Sequence, residues 1–288
     1  LADVTRLRIY GVLLRHELNV NELVAVLGMG QSRVSRHLKI LTDCGLLKCR
    51  KDGLWSFYSA DTSSTRADWH GLIEKTGYPE AQRDLEKASR VYARRAEDTA
   101  RFFDDVAENW ERLKQDLLAG VGIEQRLEKL IPRCGVVVDL GCGTGDLLPL
   151  LSRKAKRVIG VDNSPGMLEE ARKLHRLDES QVSLRVGDLQ HLPLRDGEVD
   201  CAVMTMVLHH VSEPEKVILE IAKVLKQGKT FILMDLSQHQ DEGMRSRYHD
   251  RWLGFKASDI QTWLSRAGLA IEKEERFPLK NGLEAFAL

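Results

Sequence analysis

The chain has 288 residues, long enough for two domains that each bury a core. Its 43 Lys+Arg balance 43 Asp+Glu, which excludes a uniformly basic nucleic-acid coat and an acidic disordered tail but leaves room for a local basic patch. Charged residues make up 30% and apolar residues 43%, as in soluble globular chains, and no apolar run approaches the ~18 residues of a membrane span. The N-terminus, Leu1-Ala2-Asp3-Val4-Thr5-Arg6, has neither a secretory pattern nor an initiator Met, so the natural chain is expected to start upstream. Cys44, Cys49, Cys134, Cys142 and Cys201 are too scattered for a disulfide framework, and a reducing cytoplasm is the expected location.

Residues 1–60 carry short helical patterns and one β-hairpin. Asn19-Val20-Asn21 precedes a helix over Glu22–Leu27, and Gly28-Met29-Gly30 makes a tight turn open to positive φ. A second helix starts at Gln31 or Ser32, which can cap it. On that helix Val34, Leu38 and Leu41 recur at helical spacing and face a core, while Gln31, Ser32, Arg33, Ser35, Arg36 and Lys39 fall on other faces. Such side chains contact phosphates and base edges when a recognition helix enters the major groove. Leu46–Ser59 follows as two strands with Lys51-Asp52-Gly53 at the bend, and Arg50 and Lys51 join the candidate DNA contacts. From Gln31 to Lys51 the cations Arg33, Arg36, Lys39, Lys48, Arg50 and Lys51 face only Asp43, the electrostatic footprint of a duplex.

LADVTRLRIY (Leu1–Tyr10), followed by SRVSRHLKILTDCGLL, resembles the ArsR family of winged-helix repressors over roughly the first 60 residues. The resemblance implies a homodimer whose two recognition helices meet successive major grooves of double-stranded operator DNA. Metal-sensing members usually carry Cys-x-Cys-Asp/Glu-Leu at the start of the first motif helix. Here the place reads Asn19-Val20-Asn21-Glu22-Leu23, and amides are poor soft-metal ligands, so no metal is expected. Cys44 and Cys49 are expected to be buried small hydrophobes.

Residues 80–130 are dense in charge of both signs. Leu85, Ala88, Tyr92, Ala96, Ala100, Phe103, Val106, Trp110 and Leu113 recur at helical intervals, and no Pro or Gly interrupts Ala81 to Ala119, which predicts one long connecting helix. From Cys134 the pattern changes. The runs Val136–Leu140, Val158–Val161, Val182–Val186, Cys201–Thr205 and Phe231–Leu236 alternate with amphipathic helices, predicting a parallel sheet covered on both faces. The expected division is a winged helix-turn-helix over 1–65 (mostly α with a β-hairpin wing), a helical linker and lid over 66–130, and an α/β Rossmann-like domain over 131–288.

Val136-Val137-Val138-Asp139-Leu140 runs into Gly141-Cys142-Gly143-Thr144-Gly145 and then an apolar helix, the layout of a nucleotide site. The dinucleotide fingerprint would put its third glycine at Asp146, which argues against NAD. Asp139 suits a ligand with a cationic amino-acid end and would repel a bare diphosphate. Asp162 ends the second strand, placed to accept from two ribose hydroxyls. Asp188 ends the third, positioned to accept from an adenine amino group.

Three acids on successive strand ends beside DxGxGxG resemble the class I S-adenosylmethionine-dependent methyltransferases, from about Phe102 to Leu288. The resemblance implies that Asp139 and Gly141–Gly145 (Gly141, Cys142, Gly143, Thr144, Gly145) hold the methionyl part of S-adenosylmethionine or S-adenosylhomocysteine. It gives the ribose to Asp162 and Asn163, with Ser164 and Met167 against ribose and adenine, and the adenine to Gly187, Asp188 and Leu189. Met204 on the fourth strand joins this set. Phe102–Trp110 resembles a helix folded over the cofactor, which adds Phe103 and Trp110 to the cofactor contacts. Val207-Leu208-His209-His210-Val211 resembles the small-molecule methyltransferases of quinone and biotin biosynthesis. There His209 is either the catalytic base for an acceptor hydroxyl or, with His210, only lines the cleft. Arsenite methylation, which uses several exposed cysteines, finds little support in Cys134, Cys142 and Cys201. His239–Phe255, with His249, Asp250, Trp252 and Phe255, is expected to wall the acceptor side, and Gln227-Gly228-Lys229 departs from the Pro-Gly-Gly usual before the fifth strand.

Two functions stand beside each other. One is a repressor whose methyltransferase-fold sensor binds S-adenosylmethionine or S-adenosylhomocysteine, which this joint architecture resembles. The other is a working methyltransferase for a small-molecule acceptor that also carries a DNA-binding domain. Methyl transfer needs alignment more than acid–base groups, so the lack of a triad separates neither. A nucleic-acid methyltransferase is a weaker third, because no Asn/Asp-Pro-Pro-Tyr/Phe motif is present.

Overall fold

The computed structural model describes residues 3–61, 79–118 and 120–288. Leu1 and Ala2 of the first motif and the expected boundary at 65/66 therefore lie outside the described residues. The chain forms two compact units, Leu1–Glu97 and Asp98–Leu288. Among the described residues no helix is long and apolar enough to cross a membrane.

In the first unit the Asp3 carboxylate accepts from Thr5 N at 2.7 Å and from Arg6 N, capping α1 (Val4–Leu13). Asn19 caps α2 (Val20–Leu27) in a capping box with Glu22, so this helix starts before the expected Glu22. α3 (Gln31–Asp43) follows Gly30 with no side-chain cap; Ser32 already lies inside its first turn and does not cap it as expected. β2 (Leu47–Asp52) and β3 (Trp55–Ala60) join β1 (Leu18–Asn19) in an antiparallel sheet ordered β1-β3-β2. The hairpin bend falls at Gly53-Leu54, because Lys51 and Asp52 pair with Ser56 and Trp55, and Gly53 supplies the positive φ (57°) that a two-residue loop needs. Ile9, Tyr10, Leu23, Val34, Leu38 and Leu41 fill the core between the helices.

The long helix is shorter than expected. α4 (Ala81–Val106) ends in a 3-10 turn over Ala107–Asn109, and α5 (Trp110–Leu118) starts afresh; Ala119 lies outside the described residues. Nothing in the local sequence requires that break. A long-range contact adjoins it, Gly166 N donating to Asp104 Oδ1 at 2.9 Å, and the Phe103 and Trp110 rings meet edge to face at 5.3 Å across the turn. The start of α4 belongs to the core of the first unit. Asp84 there is fully buried and receives Arg8 Nε at 2.7 Å and Nη2 at 2.8 Å. Arg95 of the same helix pairs with the capping-box residue Glu22.

In the second unit, after α6 (Ile123–Leu130), come β4 (Cys134–Leu140), α7 (Leu148–Lys154), β5 (Ala155–Asp162), α8 (Pro165–Leu174), β6 (Val182–Val186), β7 (Val199–Thr205), α9 (Pro214–Val224) and β8 (Leu225–Leu236). Then follow α10 (Gly243–Arg247), α11 (Ala257–Arg266), β9 (Glu275–Pro278) and β10 (Glu284–Ala287). The sheet order is β6-β5-β4-β7-β8-β10-β9, parallel from β6 to β8, with β10 antiparallel to both its neighbours. Consecutive strand residues go to opposite cores: Val137, Val158, Cys201 and Ile232 to one, Val138, Ile159, Ala202 and Leu233 to the other. This period of two, with both faces buried, is the Rossmann-like arrangement expected from the apolar runs. Strand order reverses at β4, between β5 and β7, and such a switch point opens a crevice beyond the carboxyl ends of the strands.

Candidate functional site

The first candidate surface is on α3. Val34, His37, Leu38 and Leu41 are buried, and Gln31, Ser32, Arg33, Ser35, Arg36 and Lys39 are exposed, so one helix carries an inner apolar row and an outer polar one. Arg33 Nη2 donates to Thr5 Oγ1 at 2.9 Å, which fixes one edge of its guanidinium. Lys51 is exposed beside the hairpin bend, where Leu54 and Trp55 also face outward. Arg50 is not brought to this strip. Glu17 takes its Nε and Nη2 (3.1 and 2.8 Å), Asp52 takes Nη1 (3.1 Å), and the guanidinium lies over the Phe57 ring, so its charge is engaged inside the domain. Cys44 and Cys49 are exposed rather than buried, because Leu41 and Leu47 take the inward positions.

The second site is the crevice at the switch point. Gly141 N and Cys142 N both donate to Val161 O (2.8 and 3.1 Å), which ties the glycine loop to the end of β5. Gly141 has φ +72°, and a Cβ there would lie 2.5 Å from Val207, so only glycine fits. A Cβ on Gly143 would meet only Trp110 Nε1, at 3.9 Å, so the Trp110 ring stands over this loop. Asp162 Oδ2 accepts from Gly143 N at 2.8 Å and Oδ1 from Ser164 N at 2.9 Å. Ser164 in turn caps α8 by accepting from Met167 N at 3.0 Å, and gives its hydroxyl proton to Asp104. Asp104 thus pins the end of α4 to the loop after β5.

Asp139 and Asp162 are both buried. Burial, with Asp162 beside it, pushes the Asp139 carboxyl up to about 7. Burial also raises Asp162, against the backbone N–H groups of Ser164, Gly143 and Asn163, which favour its charged form. Asp188 lies at the exposed rim, accepting from Gln190 N at 2.9 Å, with Leu189 buried next to it and Asn163 exposed. Gly187 is required by packing, since a Cβ would lie 2.6 Å from Pro193. Cys142 is buried, and its thiol is pushed well above the ordinary range by burial and then by Asp139 and Asp162. Thr144 is buried, its carbonyl facing His175 Nε2 at 3.1 Å. Met204 is not brought to the crevice: it is fully buried in the core with Val138 and Leu140.

Two residues escaped the sequence reading. Asp104 gave no signal beyond its place in a charged helix. Asp235 did, because it ends the apolar run Phe231–Leu236 as Asp139 and Asp162 end theirs. His209 Nδ1 lies 2.6 Å from Asp235 Oδ1, and Asp235 Oδ2 accepts from Leu208 N at 2.8 Å. Burial alone would lower the His209 pKa, but Asp235 and then Asp250 outweigh it and raise it to about 9. At neutral pH this ring is a buried imidazolium with no lone pair to offer an acceptor hydroxyl. Around it Phe103 meets His210 edge to face at 4.9 Å, and Phe102 stacks on His249 at 5.1 Å.

Residues 3–48 match the family model described as bacterial regulatory protein, arsR family, and residues 138–233 the model described as methyltransferase domain. Over 162 residues the chain is 31% identical to a demethylmenaquinone methyltransferase of Symbiobacterium thermophilum, covering 53% of this chain and 64% of that protein. Over 99 residues it is 38% identical to a 37.1 kDa protein in transposon TN4556 of Streptomyces fradiae, covering 33% of this chain and 28% of that one. The chain thus spans less than two thirds of the length of these relatives. Among solved structures, a chain from the complex between the Haloferax volcanii Trm112 methyltransferase activator and a methyltransferase aligns with TM-score 0.53 at 25% identity, over 60% of this chain and 78% of that one.

Proposed function

Because this chain joins an ArsR-family helix-turn-helix domain to a class I methyltransferase domain, we propose that it is a DNA-binding transcriptional regulator whose C-terminal domain takes S-adenosylmethionine or S-adenosylhomocysteine as effector. The observation that carries this reading is the pair Asp139 and Asp162, two buried carboxylates at adjoining strand ends beside a loop that only glycine can form. Backbone N–H groups support Asp162, and among the described residues none supports Asp139. A ligand with an ammonium end supplies the charge that Asp139 lacks. Asp162 Oδ2 accepts from Gly143 N and Oδ1 from Ser164 N, and the carboxylate keeps acceptor capacity for a ribose hydroxyl. The donor set therefore fits the nucleoside, and would repel a diphosphate.

Trp110 over the glycine loop, with Phe103 against it, would cover the bound nucleoside and exclude water, and Asp188 and Leu189 at the rim would hold the base. When bound, S-adenosylmethionine supplies an electrophilic methyl group on a sulfonium. The curated relatives favour a second reading, an active small-molecule methyltransferase that carries a DNA-binding domain. With His209 held between carboxylates, transfer in that case would rest on alignment of the acceptor.

The regulator would act in the cytoplasm as a homodimer on operator DNA. The route for coupling in this proposal is α4, which begins in one unit and ends, at Phe102 and Phe103, in the other. Operator affinity with and without saturating S-adenosylhomocysteine tests it: a typical coupling of ~1–3 kcal/mol is roughly 5- to 150-fold. An unchanged operator affinity, with ligand binding confirmed by calorimetry, overturns the effector reading. Methyl turnover on a small acceptor under those conditions would establish the second.

A further inference from the structure

Three buried side chains beside the crevice have no part in holding the nucleoside. His209 and His210 lie on the turn after β7, and Asp250 on the loop after α10. Asp250 Oδ1 is 3.7 Å from His209 Nε2 and 3.9 Å from His210 Nδ1, and one ligand atom from each of the three lies within 4.8 Å of the others. The Asp250 side chain is fully buried. Neither of its oxygens has a hydrogen-bond partner among the described residues, nor has His210 Nδ1. The His209 imidazolium stands 3.7 Å from this carboxylate, beyond hydrogen-bond reach, so charge attraction alone offsets the burial of two unbonded oxygens, and an ion bonded among the three groups would offset it better.

The far side of the His209 ring is already fixed. His209 Nδ1 is held by Asp235 Oδ1 at 2.6 Å, which turns Nε2 toward Asp250. His210 Nδ1 has no hydrogen-bond partner among the described residues and faces Asp250 Oδ1 at 3.9 Å. Imidazoles that bind metals are oriented in this way, one nitrogen to a carboxylate or carbonyl and the other to the ion. The backbone of His249, next to Asp250, takes φ +60°, a conformation that a β-substituted residue keeps only when its surroundings demand it.

We propose that His209 Nε2, His210 Nδ1 and Asp250 form a site for a divalent transition-metal ion of the zinc type. Two imidazoles and one carboxylate are the donors such ions take, and they leave a fourth position for water or a ligand atom. Around a tetrahedral ion with bonds of about 2.0–2.2 Å, ligand atoms stand roughly 3.4 Å apart. The observed 3.7 and 3.9 Å to Asp250 need to close by a few tenths of an ångström, and the two imidazole nitrogens, which lie within 4.8 Å of each other, by up to about 1.4 Å, which a rotation of the His210 ring supplies. The ion would replace the proton that His209 otherwise holds between Asp235 and Asp250, and would tie the loop after α10 to the turn after β7. This inference stands whether or not the nucleoside is an effector.

The test is equilibrium dialysis of the full chain against Zn2+, with Co2+ as the spectroscopic probe. The expected result is about one ion per chain, and for Co2+ the intense visible bands of a four-coordinate site. Asp250→Asn and His210→Ala should each weaken binding by more than about 100-fold. Asp235→Asn, which only orients His209, should weaken it by roughly 10- to 100-fold. His191→Ala, at an exposed position elsewhere, should change nothing. Far-UV circular dichroism confirms that each variant is folded. If a variant fails to fold, the stoichiometry and Co2+ spectrum of the unaltered chain still decide. Absence of a bound ion in the unaltered chain, or full binding by folded Asp250→Asn and His210→Ala, overturns the site.

Discussion

Asp139 gives the crevice its sharpest test. Its carboxyl sits at about 7, against 3.8 for an ordinary Asp, because burial and the neighbouring Asp162 both disfavour its charge. The folded value lies above the unfolded one, so the contribution of Asp139 to stability is fully present below pH 3.8 and is lost as pH rises through about 7. At about 1.36 kcal/mol per pH unit, that loss is roughly 4 kcal/mol. A ligand that places an ammonium group beside this carboxylate binds its ionised form. Roughly a tenth of Asp139 is ionised at pH 6 and roughly nine tenths at pH 8, so affinity for S-adenosylhomocysteine should rise about tenfold between them. At pH 6 about one proton should leave the protein on binding. Isothermal titration calorimetry in buffers of different ionisation enthalpy measures both quantities. In Asp139→Asn the proton release should vanish, and the ligand-free protein should lose its destabilisation between pH 4 and 7. Affinity flat from pH 6 to 8 in the unaltered chain, with no proton exchanged, refutes the assignment.

Two further outcomes are expected in the first unit. Lys51→Ala should weaken binding to all DNA sequences alike and lower the salt slope by about 1, whereas Arg33→Ala or Arg36→Ala should also change sequence preference; matching specificity profiles for the unaltered chain and both arginine variants would remove α3 from the groove. Asp84→Ala leaves Arg8, only 14% exposed, without its carboxylate, and should cost about 3–5 kcal/mol in chemical denaturation. A loss below about 1 kcal/mol would mean that water reaches Arg8 and that the start of α4 is no part of the core.

How much was legible follows from how far each feature reaches along the chain. The glycine loop, the helix-turn-helix and the parallel strands are written locally: Gly141 needs positive φ within its own turn, Val34, Leu38 and Leu41 repeat within one helix, and the apolar runs each fill one strand. The positions of Asp139, Asp162 and Asp188 follow from the same local pattern, because Asp139 and Asp162 lie at the ends of β4 and β5 and Asp188 just beyond β6, and a parallel sheet aligns strand ends on one edge. The break at Ala107–Asn109 was not readable. Helix propensity favours an unbroken run there, and the contact that adjoins the break, Asp104 to Gly166, spans 62 residues. Arg50 counted as a free cation in the sequence, yet Glu17, 33 residues earlier, and Asp52 claim it once the hairpin folds against the start of α2. His209 shows the division within one residue. The sequence put a histidine at the acceptor side, but whether it is a base, a cation or a ligand depends on Asp235 and Asp250. Only the pairing of β7 with β8 and the fold of the loop after α10 bring those two carboxylates to its ring, and burial then makes their charges decide its protonation.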